Sequence, residues 1–219
     1  MVFKLKDLAY DRDVNPNQEE IYGFNINPYY NSDLDGRFHF SLTQTQTGDL
    51  SVSRELDFES MSTKYYLLNV SVEDIGKRTS YTVMRVNIAD QDDQGPEFYT
   101  SDCVPGLCHI RYTASVGTTF TGAITTVCPE RVAARDKDTL NASISYSIAS
   151  SNAPAYFSYF TINNIMGTVS VIQPIGKALL VTLTIEATEV TLLRHTEMTS
   201  LTVTFRDPTT PCSCMARSA

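Results

Sequence analysis

The sequence predicts an all-β protein made of two tandem Greek-key β-sandwiches, the first of which lacks its opening strand. The chain has 219 residues, which is enough for two domains of about 100 residues each. Short stretches in which apolar and polar residues alternate recur along the whole sequence, and no stretch has a helical period. Gly, Pro, Asn and Asp separate these stretches at about ten-residue intervals, a spacing typical of β-sandwiches.

Alternating stretches that indicate strands occur in both halves of the chain. In the first half they cover residues 38–42, 50–53, 66–72 and 81–88. In the second half they cover residues 109–116, 144–148, 157–162, 168–172, 179–187 and 200–205. The period of two predicts strands with one buried and one exposed face.

The two halves repeat each other at a roughly constant offset, which indicates one module present twice. Residues 47–52 match 166–171, and residues 66–74 match 181–189. The chain begins about ten residues before the first Asp-x-Asp pair, and we expect the opening strand of the module to be absent from the first half. The repeated polar positions are Asp11, Asp13 and Asn17 in the first half and Asp136, Asp138 and Asn141 in the second.

An acidic segment joins the two halves at residues 90–98, which read DQDDQGPEF. Gly95 and Pro96 exclude a regular helix or an interior strand there. Carboxylates this close repel one another unless a positive charge lies among them. Ca²⁺ takes six to eight oxygen ligands, so an acidic loop of this kind suits it. The four acids are Asp90, Asp92, Asp93 and Glu97.

Composition points to an extracellular product. The net charge is −8 and the pI near 4.8, which argues against nucleic acid or an anionic membrane as a partner. No apolar run is long enough for a membrane span, and the N-terminus has no signal-peptide core. Two Asn-x-Ser sequons, at Asn69 and Asn141, nevertheless suit a secreted protein. We therefore expect the sequence to be a piece of a longer protein.

The five cysteines are an odd number, so at least one is unpaired or pairs outside the chain. We predict a local disulfide between Cys103 and Cys108, because a short loop containing Pro-Gly can bring them close enough. A metal site there would need more ligands than the neighbouring histidine supplies. Cys128 is predicted to be a buried free thiol. Cys212 and Cys214 lie in a polar tail that is expected to be disordered.

Three motifs occur in order: the Asp-x-Asp pairs, Leu-Asp-Phe-Glu at 56–59 and the acidic segment at 90–98. Together they resemble the extracellular repeats of the cadherin superfamily, over nearly all of the chain up to Arg206. The cysteine pair and the Asp-Asp-x-Gly-Pro variant are most similar to the tip-link protocadherin of hair cells and its microvillar relatives. The resemblance implies a repeat at 1–90, a calcium-binding linker at 91–97, a second repeat at 98–206 and a disordered tail at 207–219.

The resemblance also implies a set of Ca²⁺ ligands at the junction of the two repeats, able to hold three ions. Carboxylates would come from both repeats and from the linker, and backbone carbonyls would complete the coordination. Asp57 and Glu59 would come from the first repeat. The linker would supply Asp90, Asp92 and Asp93 with the carbonyls of Gln91 and Gln94. The second repeat would supply Asp136, Asp138, the Asn141 carbonyl and Glu189.

The chain departs from the family pattern at several positions. Thr118 stands where the second repeat would carry a Glu that bridges two ions, so we expect weaker binding of the two ions nearest the first repeat. Glu189 replaces an Asp, and Asp92 replaces an Asn. The second repeat has no Leu-Asp-x-Glu element and ends without another acidic joint. Asp11, Asp13, Asn17 and Asp74 would serve a preceding repeat or, without one, form an exposed acidic tip.

The function implied is a calcium-stiffened adhesion or tether segment on the extracellular face of the plasma membrane, within a membrane-anchored parent protein. Its partners would be other cadherin-type ectodomains, homophilic or heterophilic. No nucleophile–base pattern, phosphate loop or redox Cys-x-x-Cys is present, so we expect no enzymatic activity. Two alternatives remain open at this point. One is a calcium-dependent carbohydrate- or lipid-binding β-sandwich, and the other is a truncated splice product of a larger cadherin.

Overall fold

The computed structural model describes residues 3–10, 21–102 and 109–206. It divides into two compact units, Met1–Asp90 and Gln91–Ala219. The regular structure of the described ranges consists of β-strands and short 3-10 helices, so the predicted all-β class is confirmed. None of the helices in these ranges is long and apolar enough to cross a membrane.

The first unit consists of two three-stranded sheets around one apolar core. Their strand orders are β1-β4-β3 and β2-β5-β6. The core is formed by buried residues from both sheets and from the first 3-10 helix, including Leu5, Phe24, Leu50 and Leu68. The strands are β1 Phe3–Lys4, β2 Ile21–Asn27, β3 Phe40–Gln44, β4 Asp49–Val52, β5 Tyr65–Asp74 and β6 Thr79–Asn87, and the 3-10 helices are Leu5–Leu8 and Gly36–Phe38.

The second unit has a five-stranded sheet of order β10-β8-β16-β15-β12, a three-stranded sheet β13-β14-β9 and a two-stranded sheet β11-β7. Strand β8 runs parallel to β16, whereas the other pairs are antiparallel. The strands are β7 Glu97–Phe98, β8 Arg111–Gly117, β9 Gly122–Ala123, β10 Val127–Cys128, β11 Ala134–Arg135, β12 Ile144–Ser151, β13 Phe160–Ile162, β14 Val169–Val171, β15 Leu179–Glu189 and β16 Thr196–Arg206.

The period of two is clearest in β15, whose alternate residues are buried along its length. The side chains of Val181, Leu183, Ile185 and Ala187 have no solvent exposure. The Val, Leu and Ile side chains each contribute about 1.5–3 kcal/mol on burial, so this strand stabilises the second core. The last residue of β15, Glu189, belongs to the same buried face.

The described residues of the two units differ at the place of the opening strand, and the predicted absence of that strand from the first unit stays a prediction. Strand β1 pairs with β4 as β9 pairs with β14. In residues 3–10 and 21–90, however, no strand takes the place that β8 occupies beside β16. Among these described residues, no strand pairs with the outer edge of β6.

One predicted strand begins later than expected. Residues 157–162 were expected to form one strand, but residues Pro154–Tyr159 form a 3-10 helix and only Phe160–Ile162 are extended. Pro154 has a fixed φ that suits the first turn of a helix. The rings of Tyr156 and Tyr159 pack edge to face with centroids 5.4 Å apart, a contact three residues apart that this helix favours.

The predicted free thiol at Cys128 is wrong, because this residue is disulfide-bonded. It lies half-buried on β10, an edge strand of the five-stranded sheet, where a second sulfur can approach it. Its partner lies outside the described residues. Cys103 and Cys108, the two cysteines of the tail, and Asp11, Asp13 and Asn17 also lie outside them, so the predictions made for these residues stay predictions.

Candidate metal centre

Three elements of the second unit bring acidic side chains together. They are residues 91–96 before β7, the loop at 136–142 after β11, and the hairpin that joins β15 to β16. Each element contributes at least one of the predicted ligands. We call this group of side chains, Asp92, Asp93, Asp136, Asp138, Glu189 and His195, the acidic cluster.

The loop at 136–142 folds around the carboxylate of Asp136. One oxygen accepts a hydrogen bond from the Asp138 backbone N–H at 2.8 Å, and the other accepts one from the Ala142 N–H at 2.5 Å. Asn141 has φ 53, a left-handed conformation that Asn tolerates well. Its amide donates to the Thr139 carbonyl at 2.9 Å. The Asp-x-Asp spacing thus produces a local turn with its own hydrogen bonds.

Asp138 connects this loop to the segment before β7. Its side chain is only 3% exposed, and both carboxylate oxygens accept from the Gln94 backbone N–H, at 3.2 and 3.3 Å. A carboxylate oxygen of Asp93 lies within 4.8 Å of one from Asp138. Two negative groups at this distance repel unless a cation lies near both of them.

The β15–β16 hairpin supplies Glu189 and His195. The Glu189 N–H donates to the His195 carbonyl at 3.0 Å, which places the two residues opposite each other. The His195 Nδ1 atom lies 3.3 Å from a Glu189 oxygen and 3.5 Å from an Asp92 oxygen. The ligand atoms of these three residues all lie within 4.8 Å of one another.

Glu189 has the most unusual environment of the cluster. It is 1% exposed, and neither carboxylate oxygen accepts a hydrogen bond. Burial raises the pKa of this carboxyl above its usual value, the charges of Asp136, Asp92 and Asp138 raise it further, and His195 opposes them. A buried carboxylate without hydrogen bonds is costly, so the donor set fits a hard, oxygen-binding cation such as Ca²⁺.

Not every acid of the joint belongs to the cluster. Glu97 is 6% exposed and pairs with Arg135 at 3.1 Å, because β7 and β11 are hydrogen-bonded neighbours. The joint therefore contains one acid that the fold neutralises itself. The Gln91 carbonyl, predicted as a ligand, accepts the Asp93 N–H at 2.9 Å, and its participation in metal binding stays a prediction.

The remaining predicted ligands belong to the first unit. Asp57 is exposed, and its carboxylate accepts from the Ser60 N–H at 3.2 Å in a tight turn. Glu59 lies in the same turn, and Asp90 is the last residue of that unit. Their participation in metal binding stays a prediction.

The prediction made for Thr118 is wrong for the acidic cluster. The Thr118 N–H donates to the carbonyl of Arg206, the last residue of β16. His195 comes just before Thr196, the first residue of β16, and Glu189 lies opposite His195. The eleven residues of β16 separate the two places by roughly 33 Å. Thr118 therefore cannot weaken ions bound by the acidic cluster.

His195 was missed by the reading of the sequence. The signal was present, because two long alternating stretches at 179–187 and 200–205 predict a hairpin. In a hairpin, residues at equal distances from the turn face each other. Glu189 and His195 meet this condition, since Thr188 pairs with Thr196.

No protein-family model matches the chain. Cadherin-99C of Drosophila melanogaster is 38% identical over 141 residues, which is 61% of this chain and 8% of that protein. Human protocadherin gamma-B3 is 33% identical over 114 residues, which is 52% of this chain and 11% of that protein. The chain therefore spans about a tenth of the length of these curated relatives.

Among solved structures, human protocadherin-24 EC1-2 superposes with a TM-score of 0.63 and 17% identity, over 88% of this chain and 85% of that one. This likeness shows the fold alone. The fold and the acidic cluster define a protein of sandwich-type β-repeats with an acidic site in the second repeat. The sequence relatives are a cadherin and a protocadherin, and they support a segment of cadherin-superfamily extracellular repeats.

Proposed function

We propose that this chain is a calcium-dependent adhesion or tether segment in which Ca²⁺ stiffens the junction between the two repeats. The observation that carries the proposal is Glu189, which is 1% exposed, accepts no hydrogen bond and lies among other carboxylates. Such a residue requires a proton or a cation. Ca²⁺ matches the chemistry of the surrounding oxygen atoms.

The residues of the second unit that would hold the ions are those of the acidic cluster that carry carboxylates, with backbone carbonyls completing the coordination. His195 supplies positive charge only when it is protonated, and then one charge against several carboxylates. The family resemblance adds ligands from the first unit and the linker. The proposed set is Asp57, Glu59, Asp90, Gln91, Asp92, Asp93, Gln94, Asp136, Asp138, Asn141 and Glu189.

The proposed effect of Ca²⁺ follows from the charge of these residues. At an effective dielectric constant near 20, two like charges 4 Å apart repel by about 4 kcal/mol. Ca²⁺ offsets this repulsion and ties together the segments that carry the ligands. Ca²⁺ would therefore reduce the freedom of the junction, and chelation would restore it.

Calorimetric titration of Ca²⁺ into the 219-residue chain tests the binding step. We expect dissociation constants of about 10⁻⁴–10⁻³ M, the range of extracellular modules. Glu189→Gln should weaken binding at least tenfold. Glu186→Gln is the matched control, because Glu186 lies on the same strand and its carboxylate meets hydroxyls of Ser147 and Thr188. Absence of binding by the wild type, or equal losses in both variants, would reject the site.

Adhesion is the second step of the proposal. The proposed partners are other cadherin-type ectodomains, homophilic or heterophilic, on the extracellular face of the plasma membrane, and the role is not enzymatic. Beads coated with the chain should aggregate in Ca²⁺ and disperse in EDTA if the interaction is homophilic. Aggregation only after mixing with beads that carry a different cadherin ectodomain would indicate a heterophilic contact.

A further inference from the structure

The two Asn-x-Ser sequons of the chain lie in very different places in the fold. Asn69 is in the middle of β5, where it pairs with Asn27 on one side and with Val83 on the other. Ser71, which completes this sequon, is only 7% exposed, and its hydroxyl accepts from the Asn27 amide at 2.8 Å. An enzyme that modifies Asn69 could therefore reach this sequon only before the sheet forms.

The second sequon, residues 141–143, lies in an exposed loop of the second unit. Asn141 and Ser143 are both exposed, and Asn141 has φ 53, which is a turn conformation and not an extended one. The Ser143 carbonyl accepts from the Val190 N–H at 2.8 Å, so the backbone holds this residue in place. N-linked glycans lie on surface loops of secreted proteins, and this sequon meets that condition.

The Asn141 amide can carry a sugar without losing its existing hydrogen bond. Its nitrogen has two hydrogens, and it donates to the Thr139 carbonyl at 2.9 Å. Glycosylation replaces one hydrogen on the nitrogen and leaves the other, so the bond to Thr139 can persist. The modification is therefore compatible with the loop that folds around the Asp136 carboxylate.

A depression beside the sequon offers a place for the first sugar. It has a volume of about 380 Å³, which is within the range of pockets that hold small molecules. All of its lining residues belong to the second unit. We call it the Asn141 depression, because its lining includes Asn141 and Ser143 as well as Tyr99, Arg131 and Ile165.

The lining of the Asn141 depression combines apolar area with polar groups, as a sugar ring requires. Ile165 is 77% exposed and Arg131 is also exposed, so both can contact a ligand. The Tyr99 ring is half-buried, and the Arg135 guanidinium lies 5.0 Å from its centroid. A sugar has C–H faces that pack on aliphatic and aromatic side chains, and hydroxyls that accept from a guanidinium. Covering Ile165 would also remove apolar area from water.

We propose that Asn141 carries an N-linked glycan whose first sugar lies in the Asn141 depression. The inference rests on the proposed extracellular function, because only a chain that enters the secretory pathway meets the enzyme that attaches such glycans. The donor is a lipid-linked oligosaccharyl diphosphate. The bond from C1 of the first sugar to the diphosphate oxygen breaks, and a bond from C1 to Nδ2 of Asn141 forms. Nδ2 loses one proton, and the lipid diphosphate leaves.

Site-specific mass spectrometry of the secreted chain tests the attachment. The 219-residue chain is expressed in animal cells behind the cleavable signal peptide of another protein, so that it enters the secretory pathway whatever its natural location. Peptide N-glycosidase F in heavy-oxygen water converts a glycosylated Asn to an Asp that carries the heavy isotope. We expect this label at position 141 in most molecules of the wild type.

Two variants of Ser143 provide the matched pair. Ser143→Ala removes the hydroxyl of the sequon and should abolish the glycan, while the backbone bond to Val190 stays. Ser143→Thr keeps a hydroxyl and should keep the glycan. Asn141→Gln is avoided, because Gln adopts a positive φ less readily than Asn.

Nuclear magnetic resonance tests where the first sugar lies. After enzymatic trimming of the glycan to its first N-acetylglucosamine, we expect a nuclear Overhauser effect between protons of this sugar and the Ile165 methyl groups. Exchange of the Ala142 amide, which donates to Asp136, should be several-fold slower than in Ser143→Ala. Ile165→Ser should remove this slowing. Met166→Ser is the matched control and should keep it, since Met166 is 60% exposed in the same turn but does not line the depression.

The outcomes separate this inference from the proposed function. Label at Asn141 that is lost in Ser143→Ala, together with the contact between the sugar and Ile165, supports the inference. Absence of label in the secreted wild type overturns it, even where the chain binds Ca²⁺. A glycan at Asn141 that neither contacts Ile165 nor slows exchange of the Ala142 amide overturns the place proposed for the sugar. Calcium titration uses the chain without a glycan, so a failure of Ca²⁺ binding leaves these results unchanged.

Discussion

Two buried glutamates of the second unit, Glu97 and Glu189, have neighbours of opposite charge. Glu97 is 6% exposed and receives a positive charge from Arg135 on the neighbouring strand. Glu189 is 1% exposed, accepts no hydrogen bond and has carboxylates as neighbours. Burial alone therefore does not mark a binding site here. The surrounding charges distinguish the two residues, because Arg135 neutralises Glu97, whereas several carboxylates and the single His195 surround Glu189, which makes Glu189 the candidate ligand.

The largest effect expected from this comparison is the response to Ca²⁺. At a concentration 100 times the dissociation constant, a ligand that binds only the folded state stabilises it by about 2.7 kcal/mol. We expect Ca²⁺ to raise the opening free energy of the β15 amides by about this amount, measured by hydrogen exchange in Ca²⁺ and in EDTA. The β6 amides of the first unit serve as the internal reference. Identical exchange of β15 in both buffers would contradict the assignment.

Arg135→Gln should destabilise the second unit by about 2 kcal/mol, with or without Ca²⁺. The substitution removes the charged hydrogen bond from Arg135 to the buried Glu97 carboxylate, and hydrogen bonds to charged groups contribute about 1.5–3 kcal/mol. Urea unfolding followed by circular dichroism measures the change. Lys137→Gln, which removes a cation two residues further along the chain, is the control and should be nearly neutral. A loss that disappears in Ca²⁺ would show that Glu97 belongs to the metal site.

Much of the acidic cluster is predictable from the sequence, and the reason is local. The Asp-x-Asp pair at 136–138 forms its own turn through short-range hydrogen bonds, so spacing alone indicates it. Glu189 follows from the register of the internal repeat and from the alternation of β15. These features depend on neighbours within a few residues, and a reading of the chain in order detects them.

The parts that the sequence did not reveal depend on contacts between distant strands. Arg135 reaches Glu97 because β11 pairs with β7, and Thr118 lies beside Arg206 because β8 runs parallel to β16. A strand of the same sequence in the opposite direction would place Thr118 at the other end of the unit. Strand direction is a property of the whole sheet, so alternation does not specify it.

In the absence of Ca²⁺, replacing Glu189 should raise the stability of the second unit, whereas replacing Arg135 should lower it. Glu189→Gln removes a buried charge that its neighbours repel, so it should stabilise the second unit in EDTA at neutral pH. In Ca²⁺ the same variant should be less stable than the wild type, because it loses the ligand. Urea unfolding in the two buffers measures this crossover. Destabilisation in both buffers would mean that the Glu189 carboxylate has a structural role.

The smallest effect is a dependence on pH that Glu189 alone should produce. Its folded-state pKa is raised above 4.5, chiefly by burial and then by nearby carboxylates, so the folded state binds more protons than the unfolded state. Stability in EDTA should therefore fall as pH rises from 4.5 through the raised pKa. Glu130, whose pKa is lowered by hydrogen bonds from Ser101, acts below pH 4.5 with the opposite sign. The pH ranges in which Glu189 and Glu130 change the stability therefore do not overlap.

The measurement is the difference in unfolding free energy between the wild type and Glu189→Gln, followed in EDTA from pH 4.5 to 7. The difference should change in favour of the variant as pH rises, since only the wild type gains the repelled charge. In Ca²⁺ the direction should reverse, because the ion binds the deprotonated carboxylate and competes with the proton. A difference that stays constant in EDTA would contradict a raised pKa of Glu189 in the folded state.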